Sequence, residues 1–254
     1  MYLSCLLIDV GTDPDRPRPG RLWLRNRYRI HQRLCMAFPS AERKDEDPSM
    51  LQPFAPEQFA GGDVHVERDG HAGFLYRIDP QPGGRVIIVV FSARKPEWEY
   101  AFRNAAYLLA APPSAPRPVE VRIAVGSRFR FRLAANPVFR VREASVDRRG
   151  EPFDAKWVGK RIPVPADEKS LRNWLERRAT RNGFTLEDVP FMQAGYAYVN
   201  KTRKTANCRR LRSVRYEGIL KVTDPDRFRC ALATGIGPAK AFGFGLLSIA
   251  PTNG

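Results

Sequence analysis

Apolar side chains alternate with others along Tyr2–Asp9, Phe74–Ile78 and Val86–Ser92, the period of two expected when a strand turns successive residues to opposite faces. Between these runs the period lengthens to that of a helix. Leu22–Phe38 puts Ile30, Leu34, Ala37 and Phe38 on one face, and the alanine-rich Trp98–Ala111 does the same with Phe102, Ala105, Ala106 and Leu109. A last alternating run, Val119–Val125, follows the turn-rich Pro112-Pro113-Ser114-Ala115-Pro116-Arg117-Pro118. The order is βαββαβ, the ferredoxin-like arrangement. Residues 39–72 contain Pro39, Pro48, Pro53, Pro56 and a Gly61-Gly62 pair, and read as a long loop or irregular insertion.

The second half repeats the order less clearly: strand Ser127–Ala135, helix Glu168–Thr180, a strand near Gly195–Asn200, strand Arg212–Thr223, helix Pro225–Thr234 and strand Phe242–Ala250. Phe139–Pro165 lies between its first strand and first helix. There Asp147-Arg148-Arg149-Gly150 suits a hairpin turn between basic arms. The expected fold class is α+β, two tandem ferredoxin-like domains. The N-terminal one covers residues 1–125 and carries the helix of Tyr28 and His31; the C-terminal, basic one covers 126–254. No residue-level repeat relates the halves, so the duplication is one of topology.

Hydrophobic residues at 43% and aromatics at 11% argue against global disorder. No apolar run approaches the roughly twenty residues of a membrane helix, and Met1–Asp9 is too short and too soon acidic for a signal peptide. Cys5, Cys35, Cys208 and Cys230 are scattered without a C-x-x-C pair, which suits a reducing cytoplasm and indicates neither a zinc site nor a disulfide framework. His65 and His71 flank Glu67 and Asp69, but their spacing matches no helical ligand pattern and the segment is loop-like, so they read as solvated residues.

Charge changes the picture most. Residues 1–125 hold 17 Lys and Arg against 15 Asp and Glu, whereas residues 126–254 hold 26 against 12, so the net charge of +16 sits almost wholly in the second half. Such asymmetry, with aromatics interleaved among arginines, points to a nucleic acid more than to a membrane. Lys201–Arg215 contains seven basic residues (Lys201, Arg203, Lys204, Arg209, Arg210, Arg212, Arg215) and no acidic one. The run either tracks a phosphate backbone and stacks on bases, or is a solvated face. Arg128, Arg130 and Arg132 alternate with Phe129, Phe131 and Leu133, so the three charges share one strand face; RNA or neighbouring carboxylates would relieve them. Arg140, Arg142, Arg148, Arg149, Lys156, Lys160 and Arg161 populate the hairpin insertion.

Three motifs occur in order: Tyr28-x-x-His31 on a helix, Arg132-Leu133-x-Ala135-Asn136-Pro137 at a strand end, and Gly235-Ile236-Gly237-Pro238-Ala239-Lys240, followed by Gly243 and Gly245. Together they resemble the crRNA-processing endoribonucleases of type I-E CRISPR systems, the CasE subunit of the Cascade complex, from Met1-Tyr2-Leu3-Ser4 to Leu247–Pro251. The resemblance implies a RAMP-type fold, a metal-independent cut at the 3′ base of the repeat stem-loop leaving a 2′,3′-cyclic phosphate, and retention of the product in Cascade. It implies no cofactor, and as partners the CRISPR repeat RNA and the other Cascade subunits. It also makes His31 and Tyr28 catalytic and assigns the hairpin segment to the groove of the RNA stem, without equivalence of individual residues. A histidine suits proton transfer near neutrality and a tyrosine suits alignment of the 2′-hydroxyl. Lys240 is expected to contact RNA or support the active centre, while Gly235, Gly237, Gly243 and Gly245 either cradle RNA or serve close packing of the last strand. The alternative is a catalytically silent RNA-hairpin-binding scaffold of the same fold, in which Tyr28 and His31 only pack.

Overall fold

The computed structural model describes residues 1–11, 18–39, 73–143, 145–147, 150–201 and 208–252. The first half contains β1 (Tyr2–Asp9), α1 (Pro19–Leu24), α2 (Arg27–Cys35), β2 (Phe74–Gln81), β3 (Arg85–Ser92), α3 (Trp98–Phe102) and β4 (Arg117–Pro118). Its four strands form an antiparallel sheet in the order β2-β3-β1-β4. One face buries Leu6, Ile8, Ile88 and Val90 against Ile30 and Leu34 of α2 and against Trp98 and Phe102 of α3.

Local chemistry redraws three of the expected elements here. The helix read over Leu22–Phe38 is two helices, because Asn26 adopts an extended conformation (φ −116°, ψ 102°) and caps α2, its side chain accepting a hydrogen bond from the Tyr28 N–H at 3.1 Å. The helix read over Trp98–Ala111 stops at Phe102, and a 3₁₀ turn at Ala106–Leu108 leads the backbone back to the sheet, where the Ala110 N–H donates to the Leu7 carbonyl at 2.8 Å. Sheet pairing thus overrides the helical propensity of the alanines. The strand expected at Val119–Val125 does not form: the sheet edge is met earlier, by Leu109 opposite Ile8 and by Arg117–Pro118 opposite Tyr2 and Leu3. Prolines interrupt that fourth strand by removing donors. Beyond it Val121 and Val125 are exposed, and Ile123 enters the core of the second half.

The second half comprises β5 (Arg128–Ala135), β6 (Val138–Arg140), β7 (Arg161–Pro163), α4 (Glu168–Arg181), β8 (Phe184–Val199), β9 (Arg209–Val222), α5 (Pro225–Thr234) and β10 (Leu247–Pro251). The sheet order β10-β5-β9-β8 repeats that of the first sheet, while β6 and β7 pair separately as the root of the inserted hairpin. Both halves are therefore ferredoxin-like. Helix α5 begins at Pro225, where Asp224 accepts from the N–H groups of Asp226 and Arg227, and Gly235 ends it at φ +78°. β8 begins at Phe184, well before the expected Gly195, and β9 at Arg209, close to the expected Arg212, whereas β10 starts only at Leu247 because the chain before it is a glycine-built loop with a 3₁₀ turn at Lys240–Phe242. Phe129, Phe131 and Leu133 of β5 point into a core with Trp174 and Leu175 of α4 and Phe228 of α5.

The halves meet across a buried ion pair. Arg77 and Asp79 of β2, each 4% exposed, bond at 2.8 Å, and Arg77 also donates to the Arg132 carbonyl at 3.3 Å and to the Ser248 hydroxyl at 2.7 Å. A second tie runs through Asn26, whose amide donates to the Asn200 carbonyl at 2.8 Å and accepts from the Asn200 N–H at 3.1 Å.

Candidate functional site

A groove of about 1760 Å³ opens between the hairpin root, the outer side of α4 and the glycine loop. Arg140, Arg142 and Arg161 line it from the hairpin, Arg177, Arg178 and Arg181 from α4, and Lys240 from the loop, with Asp147 as an acidic counterpart. The Trp174 indole N–H fixes the geometry by donating to the Val138 carbonyl at 3.1 Å, which fastens the hairpin to α4. Crowding of like charges acts on the cations themselves. Burial pushes the Arg178 guanidinium below its ordinary pKa, and neighbouring Arg181 and Arg161 push it further. Burial likewise lowers Lys240, with Cys230 opposing and Arg178 reinforcing that shift. A polyanion in the groove relieves both effects, since phosphates favour the charged forms. Sequence reasoning missed the α4 arginines. Their spacing on a helix, at i, i+1 and i+4, gives one basic face and was the available signal.

The glycine loop joins this groove to α2. Gly237, Gly243 and Gly245 all have positive φ. A Cβ at Gly243 would lie 2.9 Å from the Tyr76 ring and 3.1 Å from Arg27 Nη1, so the loop seats directly on β2 and on the first turn of α2. The buried Tyr76 hydroxyl shares its proton between the carbonyls of Arg27 and Ala241, each at 3.2 Å, and burial raises its pKa well above the ordinary phenol value. Arg27 Nη1 is buried there without a hydrogen-bond partner among the described residues, and burial lowers its pKa. These contacts give the glycines a packing role.

Tyr28 and His31 follow Arg27 on α2, three residues apart and both half-buried beside the core residues Ile30 and Leu34. The His31 ring stacks on Phe74 at 5.8 Å between centroids, with its Nε2 3.6 Å from the Cys35 sulfur. Lys201 Nζ stands 5.9 Å above the Tyr28 ring, brought there by the Asn26–Asn200 tie.

The other basic residues fall into separate sets. Arg140, Arg142, Arg161 and Lys240 come together in the groove, while Lys156 pairs with Asp154 at 2.7 Å and Lys160 lies over Trp157 at 5.2 Å. Arg128 and Arg130 project from the opposite face of the sheet, where Glu187 meets Arg128 at 2.7 Å. Arg209 and Arg210 begin β9, and Arg210 stacks over Tyr196 at 4.4 Å. Arg148, Arg149, Arg203, Lys204, His65 and His71 lie outside the described residues.

Two ferredoxin-like halves with a cationic groove beside a Tyr/His helix define the class of protein. The model of the CRISPR associated protein family matches residues 1–251, and the chain belongs to that family. It is 30% identical over 193 residues to the CRISPR-associated endoribonuclease Cse3 of Thermus thermophilus, covering 72% of this chain and 82% of that one. It is 29% identical over 252 residues to the CRISPR system Cascade subunit CasE of Escherichia coli, covering 99% of this chain and 100% of the relative. Among solved structures, Thermus thermophilus Cse3 bound to an RNA representing a pre-cleavage complex superposes with a TM-score of 0.65 at 26% identity, over 99% of this chain and all of that one. Cas6e of Escherichia coli gives 0.60 at 25% identity, with the same coverage.

Proposed function

We propose that this protein is a metal-independent endoribonuclease that grips the stem-loop of a CRISPR repeat and cuts the strand at its 3′ base. The observation that carries the reading is the glycine loop, which forms one wall of the cationic groove with Lys240 and rests its other side on the helix of Tyr28 and His31. An RNA stem held between hairpin, α4 and loop delivers its flanking strand to that helix. A-form RNA offers its phosphates and the end of a deep major groove, which a narrow arginine-bearing ribbon can enter. At the cut, the 2′-oxygen of one nucleotide attacks the adjoining phosphorus, loses its proton and forms the cyclic phosphate, while the departing 5′-oxygen gains a proton and leaves as a hydroxyl. His31 moves a proton in this exchange, because imidazole can give or take one near neutrality. Tyr28 aligns the 2′-hydroxyl, with Lys201 near its ring.

The protein acts in the cytoplasm, keeps its cleaved hairpin and remains with it as a subunit of Cascade. Retention follows from the groove, since cutting the flanking strand leaves the stem contacts intact. The relatives named Cse3 and CasE support this reading, as does the RNA-bound neighbour. The test is single-turnover cleavage of repeat RNA in excess EDTA, with a 2′-deoxy substitution at the scissile nucleotide as control. Cutting of the RNA alone, to a cyclic phosphate, is expected. Tight hairpin binding without any cut would leave a scaffold, and a rate restored only by magnesium would reject the metal-free chemistry.

A further inference from the structure

The distal end of β8–β9 carries a face that the hairpin reading leaves unused. Val214, fully buried in the core, pairs with Ala194; two residues further out Tyr196 pairs with Arg212, and beyond that Tyr198 with Arg210. Strand alternation places all of these on the same side of the sheet. Here the ribbon has outrun its core, so Tyr196 and Tyr198 are 49% and 50% exposed. Their neighbours on the strand, Ala197 and Val199, point the other way and are buried, where β8 packs against α2.

The arginines among these tyrosines differ from three others of the sheet in having no carboxylate beside them among the described residues. Arg128, Arg132 and Arg215 each meet a carboxylate within 3.2 Å, at Glu187 or Glu217. Arg210 and Arg212 instead lie 4.4 and 5.6 Å from the Tyr196 ring with no carboxylate partner among the described residues, and Arg212 Nε, like Arg215 Nε, is buried without a hydrogen-bond partner among them. No Asp or Glu occurs between Asn200 and Tyr216. Two exposed aromatic rings interleaved with guanidinium planes, beside a run of sequence without an acidic residue, form a surface for nucleobases and phosphates, and exposed apolar area alone would not need the charge. The location agrees. β5 ends at Ala135 opposite Val214, the hairpin root follows it, and the Gly245 N–H donates to Ala134, so ribbon, hairpin and glycine loop emerge at one end of the sheet.

We propose that Tyr196, Tyr198, Arg210 and Arg212 form a stacking platform for single-stranded RNA flanking the repeat hairpin, distinct from the groove that holds the stem. The inference rests on the hairpin reading above. It adds that flanking nucleotides contribute affinity independently of the stem.

The experiment measures binding of the full chain to a palindromic CRISPR repeat RNA from the same genome, 2′-deoxy at the cut, as hairpin alone and with a 5′ or a 3′ flank. Each stacked base is worth roughly 5- to 150-fold in affinity. A flank on one side should tighten wild-type binding by about tenfold or more. Y196A/Y198A should abolish that gain while leaving hairpin-only affinity within about twofold, and Y196F/Y198F should keep it. A 2-aminopurine in the flank should be quenched on binding wild type and remain bright with the alanine pair. A gain retained by Y196A/Y198A overturns the proposal, as does wild type that binds the hairpin but ignores both flanks. Loss of the other Cascade subunits from the alanine pair with the flank gain intact overturns it in favour of a protein-docking face. Wild type that fails to bind even the bare hairpin instead refutes the reading beneath.

Discussion

The two sheets share one strand order and differ in the residues they carry. In the first half the fourth strand is reduced to Arg117–Pro118, helix α3 to five residues, and the charge nearly cancels. The second half has strands of 16 and 14 residues, a 14-residue helix, an inserted hairpin and almost all the positive charge. The groups suited to proton transfer stand on α2 in the nearly neutral half, and the field that attracts a polyanion belongs to the other. Topology decides where side chains fall; what each half does depends on which residues are placed there and on the few contacts that join them.

That division is broken most sharply at His31. H31A should lower single-turnover cleavage by about a hundredfold or more with hairpin affinity nearly unchanged, measured by parallel cleavage and equilibrium binding; equal losses in both would erase the distinction between the halves. R177A/R178A/R181A should do the reverse. Binding should weaken by roughly tenfold or more, and the slope of log affinity against log salt should flatten by about 0.7 to 0.9 for every phosphate left without its cation, while the cleavage rate at saturating protein persists. An unaltered slope would remove α4 from the interface.

Smaller effects probe the joints. G243A puts a Cβ against Tyr76 and Arg27 at a φ of +79° and should cost about 1 to 3 kcal/mol, lowering both the melting temperature and the cutting rate. N26A removes the α2 cap and the Asn200 tie, for about 1 kcal/mol, and should reduce cleavage more than binding. R128A is the mildest: its exposed pair with Glu187 is worth at most about 1 kcal/mol, and with the residue outside the groove RNA affinity should not move.

Much of this arrangement is legible in the chain. The strands Tyr2–Asp9 and Arg128–Ala135 and the helix Pro225–Thr234 carry their own periodicity and caps, so local chemistry and tertiary context agree there. Sequence and structure part where context wins. Asn26 looks like one polar residue within a helical run, yet its capping conformation splits the run in two. The alanines after Phe102 favour helix, but the edge of β1 offers hydrogen bonds that take the backbone away. The groove is only half visible, since the hairpin's basic residues stand out in a loop-like segment whereas those of α4 pass for an ordinary solvated helix face. Nothing in sequence spacing reveals that Tyr76, far from both, links the glycine loop to α2 through one hydroxyl.

The buried Arg77–Asp79 pair has a consequence for how the molecule can be taken apart. Arg77 is satisfied by Arg132 and Ser248 from the other half, and Leu75 fills the space over Gly235. A chain severed in the Pro112–Pro118 stretch would yield two fragments that each carry an unfinished surface and half of a working enzyme. Mixed, they should reassociate, and cleavage would become a bimolecular property that rises with fragment concentration. Salt should affect that reassembly little compared with RNA capture, because the pieces recognise each other through shielded contacts. The same seam offers a place to make RNA processing depend on bringing two polypeptides together.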